Sequence, residues 1–278
     1  MRAESAFAVF GLGGHMESCA GLPIDALSLG EGVFETVLVL SGRPVFSRRH
    51  EARLAASCAE LGIALQREAR QLYNTALEWA AATVAPRLRL RIAVFGGSRD
   101  EEPIALAAAR PAVTPAGAAR LATAALRRQR GAVASMHKTT SYIENLHCLR
   151  RAREAGFHDA LWLDDAGDIA ETCTANIFFA EKGALVTPGE GAILPGVVRG
   201  WILENAANMG IAATQEQITA VQAQRFEHAF MTNSLIGIIA VVAIGELRFA
   251  DVRSEKWFGR LAAAYEDAVN NSASAAPG

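Results

Sequence analysis

Apolar and polar positions alternate at two different periods along this chain, and the switches between them mark out its elements. In Arg87–Phe95, Leu88, Leu90, Ile92 and Val94 alternate with Arg87, Arg89, Arg91 and Ala93. That period of two predicts a strand with one apolar face and one face carrying three arginines, read as a solvated or subunit-facing surface with an anion site as the alternative. Phe7–Phe10 and Val33–Leu40 also read as strands, with Ser41-Gly42-Arg43-Pro44 as the turn after the second. From Ser47 to Leu61 the period lengthens: Leu54, Cys58 and Leu61 recur at helical spacing and Gly62 supplies the stop. A second helix is expected over Arg67–Thr83.

The later part repeats the mixture. Ala119–Leu126 reads as a strand, and Tyr142–Ala155 as a helix with Ile143, Leu146, Leu149 and Ala152 inward. Ala160–Leu163, Ile169–Thr172, Ile177–Phe179 and Ala184–Thr187 follow as short strands, with a turn at Asp164–Asp168. Pro195-Gly196 opens a helix that ends near Met209, before Gly210. Ala229–Thr232 and Ile238–Ile244 are further strands, Val252–Val269 is a closing helix, and Asn270–Gly278 reads as a disordered tail. Ala109–Gly117 has two prolines and a glycine in nine residues, which suits a linker. The expected architecture is α+β in two domains: a small α/β domain over 1–112, a linker over 113–118, a larger strand-rich domain with flanking helices over 119–270, and a tail over 271–278.

Composition narrows the function classes. Hydrophobic residues make up 51% of the 278 and charged residues 20%, which excludes an intrinsically disordered chain. A formal net charge of −2 supplies no basic field for nucleic acid or anionic lipid. The longest apolar run, Leu235–Ile244, is too short for a membrane span. The N-terminal apolar stretch Phe7–Leu12 is interrupted too early for a signal peptide. A soluble cytoplasmic protein is therefore expected. Cys19, Cys58, Cys148 and Cys173 show no CxxC spacing, and the six histidines show no HExxH or HxH pairing, so no metal site is expected. Gly11-Leu12-Gly13-Gly14 lacks the third glycine of a dinucleotide fingerprint and reads as a turn.

Lysine is the informative residue. The chain has 27 basic residues, yet lysine occurs only at Lys138, Lys182 and Lys256. Arginine serves wherever charge alone is needed, but a guanidinium does not release its proton at working pH and cannot form an imine. Lys182 sits in a hairpin turn and Lys256 in the amphipathic closing stretch. Lys138, between Val133–His137 and Thr139-Thr140-Ser141, has no such ordinary explanation and is a candidate for amine chemistry. Glu171, inside an apolar stretch, needs a cationic partner; a salt bridge to one of the arginines would satisfy it. Leu194-Pro195-Gly196-Val197-Val198-Arg199 leaves the first backbone N–H groups of a helix free for an anion. Thr232-Asn233-Ser234 places hydroxyl and amide groups at a strand end.

These pieces together resemble a family. Gly30 through Thr36, His50 through Leu54, Lys138 through Tyr142, Glu171 through Asn176, Leu194-Pro195-Gly196 and Thr232 through Leu235 occur in the order and spacing of the fold-type IV pyridoxal-phosphate enzymes, aminotransferase class IV. Branched-chain aminotransferases, D-amino-acid aminotransferases and aminodeoxychorismate lyases belong to it. The resemblance implies pyridoxal 5'-phosphate as cofactor, held covalently by Lys138, which would also move a proton at the substrate α-carbon. Glu171 would face the pyridine nitrogen, and Tyr142 the ring oxygen. Leu194 would pack on the ring. Arg53, the N–H groups of Val197 and Val198, and Ser234 would hold the phosphate. Phe34, Arg91 and Leu235 would meet the substrate. The chain departs from the family at Val197-Val198, where Ile-Thr is common, and at Phe95-Gly96-Gly97, where members often carry Thr-Arg-Gly; the second departure weakens a D-amino-acid reading. The implied activity is amino transfer between an amino acid, with branched-chain ones among the candidates, and a 2-oxo acid, by a homodimer. The alternatives are a 4-amino-4-deoxychorismate lyase releasing pyruvate and 4-aminobenzoate, and a non-catalytic scaffold of the same fold.

Overall fold

The computed structural model describes residues 8–10, 16–18, 24–63, 67–81, 85–96, 104–113 and 117–274. β1 (Ala8–Phe10) and β2 (Met16–Ser18) form an antiparallel pair, and α1 (Ile24–Leu29) follows. Gly11–Gly14 lies outside the described residues. β3 (Gly32–Leu40), the two-residue β4 (Arg43–Pro44), β5 (Arg87–Phe95) and β6 (Ile104–Pro111) build a four-stranded antiparallel sheet in the order β4-β3-β5-β6. α2 (Ser47–Glu60) and α3 (Arg67–Ala81) cover one face, where Leu88, Leu90, Ile92 and Val94 meet Leu54, Cys58, Tyr73 and Leu77 in one buried cluster. The alternation in β5 therefore sends its arginines to the other face, where Arg87 and Arg89 are half-buried and Arg91 is exposed.

β6 had been hidden in the linker reading. Ala109, Arg110 and Pro111 complete the strand, opposite Leu90, Arg89 and Leu88. Proline is admissible there because it ends an edge strand, whose outer N–H groups need no partner. Gly117, with φ of 84°, turns the chain into the second sheet.

That sheet takes β7 (Ala119–Arg128), β8 (Asp159–Asp164), β9 (Ile169–Thr172), β10 (Asn176–Glu181), β11 (Ala184–Pro188), β12 (Ala213–Glu216), β13 (His228–Asn233), β14 (Gly237–Ile244) and β15 (Leu247–Arg248). Their order is β12-β11-β10-β13-β14-β7-β8-β9, with β15 paired to β14. The helices are α4 (Val133–Met136), α5 (Ile143–Glu154), α6 (Val197–Asn205) and α7 (Lys256–Ser274). One sheet face packs under α6 and α7; Phe178 and Phe230, opposite one another on β10 and β13, stack with centroids 5.0 Å apart. Phe230 also meets Phe258 of α7 edge-on at 5.7 Å.

Two helix readings change. α5 buries Cys148, Leu149 and Ala152 against β7 and β8, whereas Ile143 and Leu146 are exposed, 65% and 42%. The buried stripe lies about one turn further towards the C-terminus than the spacing predicts. α7 continues to Ser274, through 271–274 of the expected tail. Ala273 is buried in the same cluster as Phe178, and Ser272 Oγ accepts the Phe46 N–H at 3.3 Å. Residues 275–278 lie outside the described residues.

Phe230 has no exposed surface and links β10, β13 and α7. Phe230→Ala is expected to cost about 3–5 kcal/mol, as aromatic truncations in cores do, read as a lower urea midpoint. An unchanged midpoint would show that α7 is held elsewhere.

Candidate active site

The two sheets meet around Lys138, and backbone pairing fixes the approach. The Phe34 N–H donates to the Lys138 carbonyl at 2.8 Å, the Thr140 N–H donates to the Gly32 carbonyl at 2.8 Å, and Val33 lies opposite Thr139. A segment between β7 and α5 thus runs as a short extra strand along β3. Gly32 has to be glycine, because a Cβ there would stand 2.8 Å from both Phe95 Cδ1 and the Val94 oxygen.

The Lys138 amine lies 4.6 Å from the Phe34 ring centroid and 5.4 Å from that of Tyr142. The two rings meet edge to face at 5.4 Å and 88°. The Arg91 guanidinium sits 4.5 Å from the same Phe34 ring. No carboxylate pairs directly with Lys138 among the described residues. Burial pushes its pKa down to about 8; Arg53 and Arg91 act in the same direction, against the pull of Glu35 and Glu171. A lysine in this setting keeps a sizeable neutral, nucleophilic fraction near neutral pH.

One end of the site is a carboxylate end. Glu171, on β9, is buried, and burial raises its pKa against the opposing effect of Arg128. Arg128 Nη2 pairs with Oε1 at 3.2 Å, while Oε2 accepts from Asn176 Nδ2 at 2.9 Å and from the Leu194 N–H at 3.2 Å. Arg128 itself lies over the Trp162 ring at 5.2 Å. Asn176 also donates to the Leu194 carbonyl at 2.9 Å, so one amide ties Glu171 to the loop before α6. A Cβ on Gly196 would run into Asn176 Oδ1.

The other end is cationic. Arg53 donates from Nε and Nη2 to the two oxygens of Glu35, at 2.7 and 2.8 Å, and from Nη1 to the Pro195 carbonyl at 3.0 Å. Three of its five N–H groups are spent and two remain. His50 Nδ1 lies 2.6 Å from Glu35 Oε2, and its Nε2 lies 3.1 Å from Ser234 Oγ. Glu35 is held well below the ordinary carboxylate range, because Arg53 and His50 outweigh its burial. Ser234 is placed by a turn in which Asn233 Oδ1 accepts the Leu235 and Ile236 N–H groups, each at 2.9 Å. No side chain caps Gly196 at the start of α6, so the first N–H groups of that helix stay open.

Most of the expected residues converge. Lys138, Phe34, Tyr142 and Arg91 share one aromatic contact set, Glu171 and Leu194 form one end, and Arg53, Ser234 and the start of α6, with Val197 and Val198, form the other. Two expected roles meet a different geometry. The Tyr142 hydroxyl donates to the Cys173 carbonyl at 2.7 Å, leaving only its lone pairs free. Leu235 packs its side chain against the cluster under α7, and its carbonyl accepts from Arg87 Nη2 at 2.5 Å, so the structure does not bring Leu235 to Lys138. The sequence reading missed Arg128 and had only the chain position of Glu35. A buried Glu171 demanding a cation was the available signal for the first. No group of three or more metal-ligating side chains occurs among the described residues, and no described helix is long and apolar enough to cross a membrane.

Comparison with known proteins gives the same neighbourhood. The chain is 32% identical over 128 residues to mitochondrial branched-chain-amino-acid aminotransferase 1 of Arabidopsis thaliana, a match covering 45% of this chain and 33% of that protein. It is 36% identical over 121 residues to a probable branched-chain-amino-acid aminotransferase of Rickettsia felis, covering 40% and 41%. These matches span well under half the length of either relative. Among solved structures, a branched-chain aminotransferase of Thermoproteus uzoniensis superposes with a TM-score of 0.82 at 22% identity, covering 97% of each chain. A putative 4-amino-4-deoxychorismate lyase of Legionella pneumophila gives 0.81 at 24% identity, covering 87% of this chain and 92% of that one. The fold is common to both. The model of amino-transferase class IV matches residues 32–244, a span holding both ends of the site and the lysine between them, and the chain belongs to that family of pyridoxal-phosphate enzymes.

Proposed function

We propose that the protein is a pyridoxal-phosphate-dependent aminotransferase that moves an amino group between an amino acid and a 2-oxo acid. The observation that carries this is a lysine amine without a carboxylate partner, set between a buried glutamate and a cationic cradle. The residues fit the cofactor: two free N–H groups on Arg53, the Ser234 hydroxyl and the uncapped N–H groups of Val197 and Val198 suit a phosphate dianion. Glu171, with Arg128 and Asn176 fixing its carboxylate, suits a protonated ring nitrogen. When bound, the cofactor supplies an electron-withdrawing ring that stabilises negative charge at the substrate α-carbon. Lys138 Nζ would hold the cofactor covalently and, when free, would take the substrate α-proton and return it. Phe34, Tyr142 and Phe95 give the pocket an apolar wall. That wall and the names of the relatives make branched-chain amino acids the first donors to test.

The proposal extends to a homodimer in the cytoplasm. Ile143, Leu146 and Leu126 are exposed apolar side chains suited to a subunit contact, and the three described cysteines are free and buried, as in a reducing compartment. Sedimentation of the loaded protein tests the first point.

The direct test is the visible spectrum of the purified protein with added cofactor. Wild type is expected to show a lysine-bound cofactor band that a branched-chain amino acid bleaches and a 2-oxo acid restores; Lys138→Ala is expected to show neither. A band that ignores amino acids, with pyruvate released from aminodeoxychorismate, would replace the transferase by the lyase.

Glu171→Gln keeps shape and hydrogen-bonding length but removes the charge. It is expected to leave cofactor binding intact and to lower amino transfer about 10²–10⁴-fold, the usual scale of a lost acid–base partner. A loss below tenfold would remove Glu171 from the chemistry.

Lys138 captures the cofactor as the neutral amine. With its pKa at about 8, the capture rate is expected to rise roughly tenfold per pH unit below that value and to level above it. Arg91→Gln removes one of the cations that disfavour the charged amine, so its inflection is expected at higher pH. Stopped-flow absorbance from pH 6 to 10 measures both, and coincident profiles would show that Arg91 does not act on Lys138.

A further inference from the structure

We propose that His50 is a positioning residue that sets the direction of the Ser234 hydroxyl, and that a phosphate dianion arriving at Ser234 places a second proton on the imidazole. His50 is then neutral in the cofactor-free protein and imidazolium when the phosphate is bound. The proposal rests on the reading above, which puts a phosphate at Arg53, Ser234 and the start of α6.

His50 has no exposed surface, and each ring nitrogen has one partner: Glu35 Oε2 at 2.6 Å on Nδ1 and Ser234 Oγ at 3.1 Å on Nε2. Glu35 is ionised, because Arg53 grips both of its oxygens. An ionised carboxylate only accepts, so Nδ1 carries a proton and donates it. Only Nε2 can change. In the neutral ring Nε2 accepts, and the single hydroxyl proton of Ser234 is spent on it. Ser234 then presents lone pairs to anything else that approaches. A phosphate dianion is also an acceptor, and the two would repel.

Protonation reverses the arrangement. Nε2–H donates to Ser234 Oγ, the hydroxyl proton is released from the ring, and Ser234 donates to the phosphate. The chain of donors then runs one way, from Nε2–H to the hydroxyl and from the hydroxyl to the anion, with Nδ1–H on Glu35 behind it. One proton is taken from solvent for each phosphate bound, and no other atom changes hands.

The surrounding charges make the change reachable. Glu35 on β3 draws the proton in. Arg53 on the same helix and Lys138 on the segment paired with β3 oppose it, and Tyr73 of α3 stands beside Glu35. With burial added, the balance holds the free imidazole below its ordinary value, so the ring starts neutral. A dianion offsets the two cations and adds its own attraction for the second proton to that of Glu35, against the burial of the ring.

The test is nitrogen-15 magnetic resonance of protein labelled at its histidines, at pH 8, where a phosphomonoester is already a dianion. Spectra are taken cofactor-free, with pyridoxal phosphate, and with inorganic phosphate, which reaches the anion site without bonding to Lys138. His50→Gln assigns the signal. The expected result is one unprotonated ring nitrogen in the free protein and two N–H nitrogens with either ligand. Ser234→Ala is expected to keep the ring neutral throughout, and it serves if His50→Gln fails to fold. Calorimetry with inorganic phosphate in two buffers of different ionisation heat should show wild type taking up about one proton more than Ser234→Ala.

A ring that stays neutral with the visible cofactor band present, or is imidazolium before any ligand, overturns the proposal and leaves the functional reading standing. Protonation driven by inorganic phosphate without any cofactor band upholds it and overturns that reading instead. No response to either ligand overturns both.

Discussion

A carboxylate with 1% of its surface exposed stays in a protein interior only if other groups neutralise it on every side, and Glu35 is such a carboxylate. Arg53 closes on both of its oxygens, and His50 and the Thr36 N–H reach Oε2. Removing one partner from a buried pair typically costs about 3–5 kcal/mol, because the charge left behind has no water. The consequences reach past stability. Glu35 takes two of the five N–H groups of Arg53, and a third, on the Pro195 carbonyl, pulls the start of α6 to the same point. It fixes His50, and through His50 it fixes Ser234. Three elements distant in the chain are thereby aimed at one small volume by a single side chain on β3.

Lys138 meets the opposite condition, burial without a paired charge. Burial most disfavours its charged form and Arg53 and Arg91 add to it, while Glu35 and Glu171 favour it with their oxygens occupied by other partners. Arg128 matters in this balance. By pairing with Glu171 it keeps that carboxylate from collapsing onto the lysine, so the amine has aromatic rings for neighbours instead of an ion pair. A direct Lys138–Glu171 bridge would stabilise the ammonium and abolish the nucleophile. Burying an amine without a paired carboxylate costs folding stability, but it is what lets that amine react near neutral pH.

Where residues carried their own signal, the sequence was legible. Alternation in Arg87–Phe95 placed β5, helical spacing placed α2, and the scarcity of lysine singled out Lys138 before any family was considered. β6 was not legible because Ile104–Ala109 is mostly alanine, which favours helix and offers little to pack on a sheet. It is a strand because it pairs with β5 along eight residues, a tertiary fact with no local trace. The end of α7 was not legible for a similar reason: Asn270–Ser274 is polar and small, and the Phe46 N–H, donating to the Ser272 hydroxyl, ties it down. At the site, most of the side chains that converge could be named from their motifs, but their partners could not. Glu171 required a cation, and two dozen arginines were available. Only the register of β7 against β8, with its shift between Thr123 and Arg127, decides that Arg128 is the one.

The backbone pairing of β3 with the Lys138 segment explains why the site needs both sheets at once. β3 carries Phe34, which lies against the amine, and Glu35, which organises the anion end, on adjacent residues; a strand sends adjacent side chains to opposite faces. Phe34 therefore faces the lysine while Glu35 turns towards α2. The bonds Phe34 N–H to Lys138 and Thr140 N–H to Gly32 register the lysine against that pair to within a residue. A slip of one position would bring Val33 to the amine and turn the carboxylate towards it as well. The close contact of Gly32 with Phe95 and Val94, and the left-handed Gly30 beneath Ser141, resist that slip. Specificity for the amine is thus a property of strand register, set by two glycines that touch no reacting group.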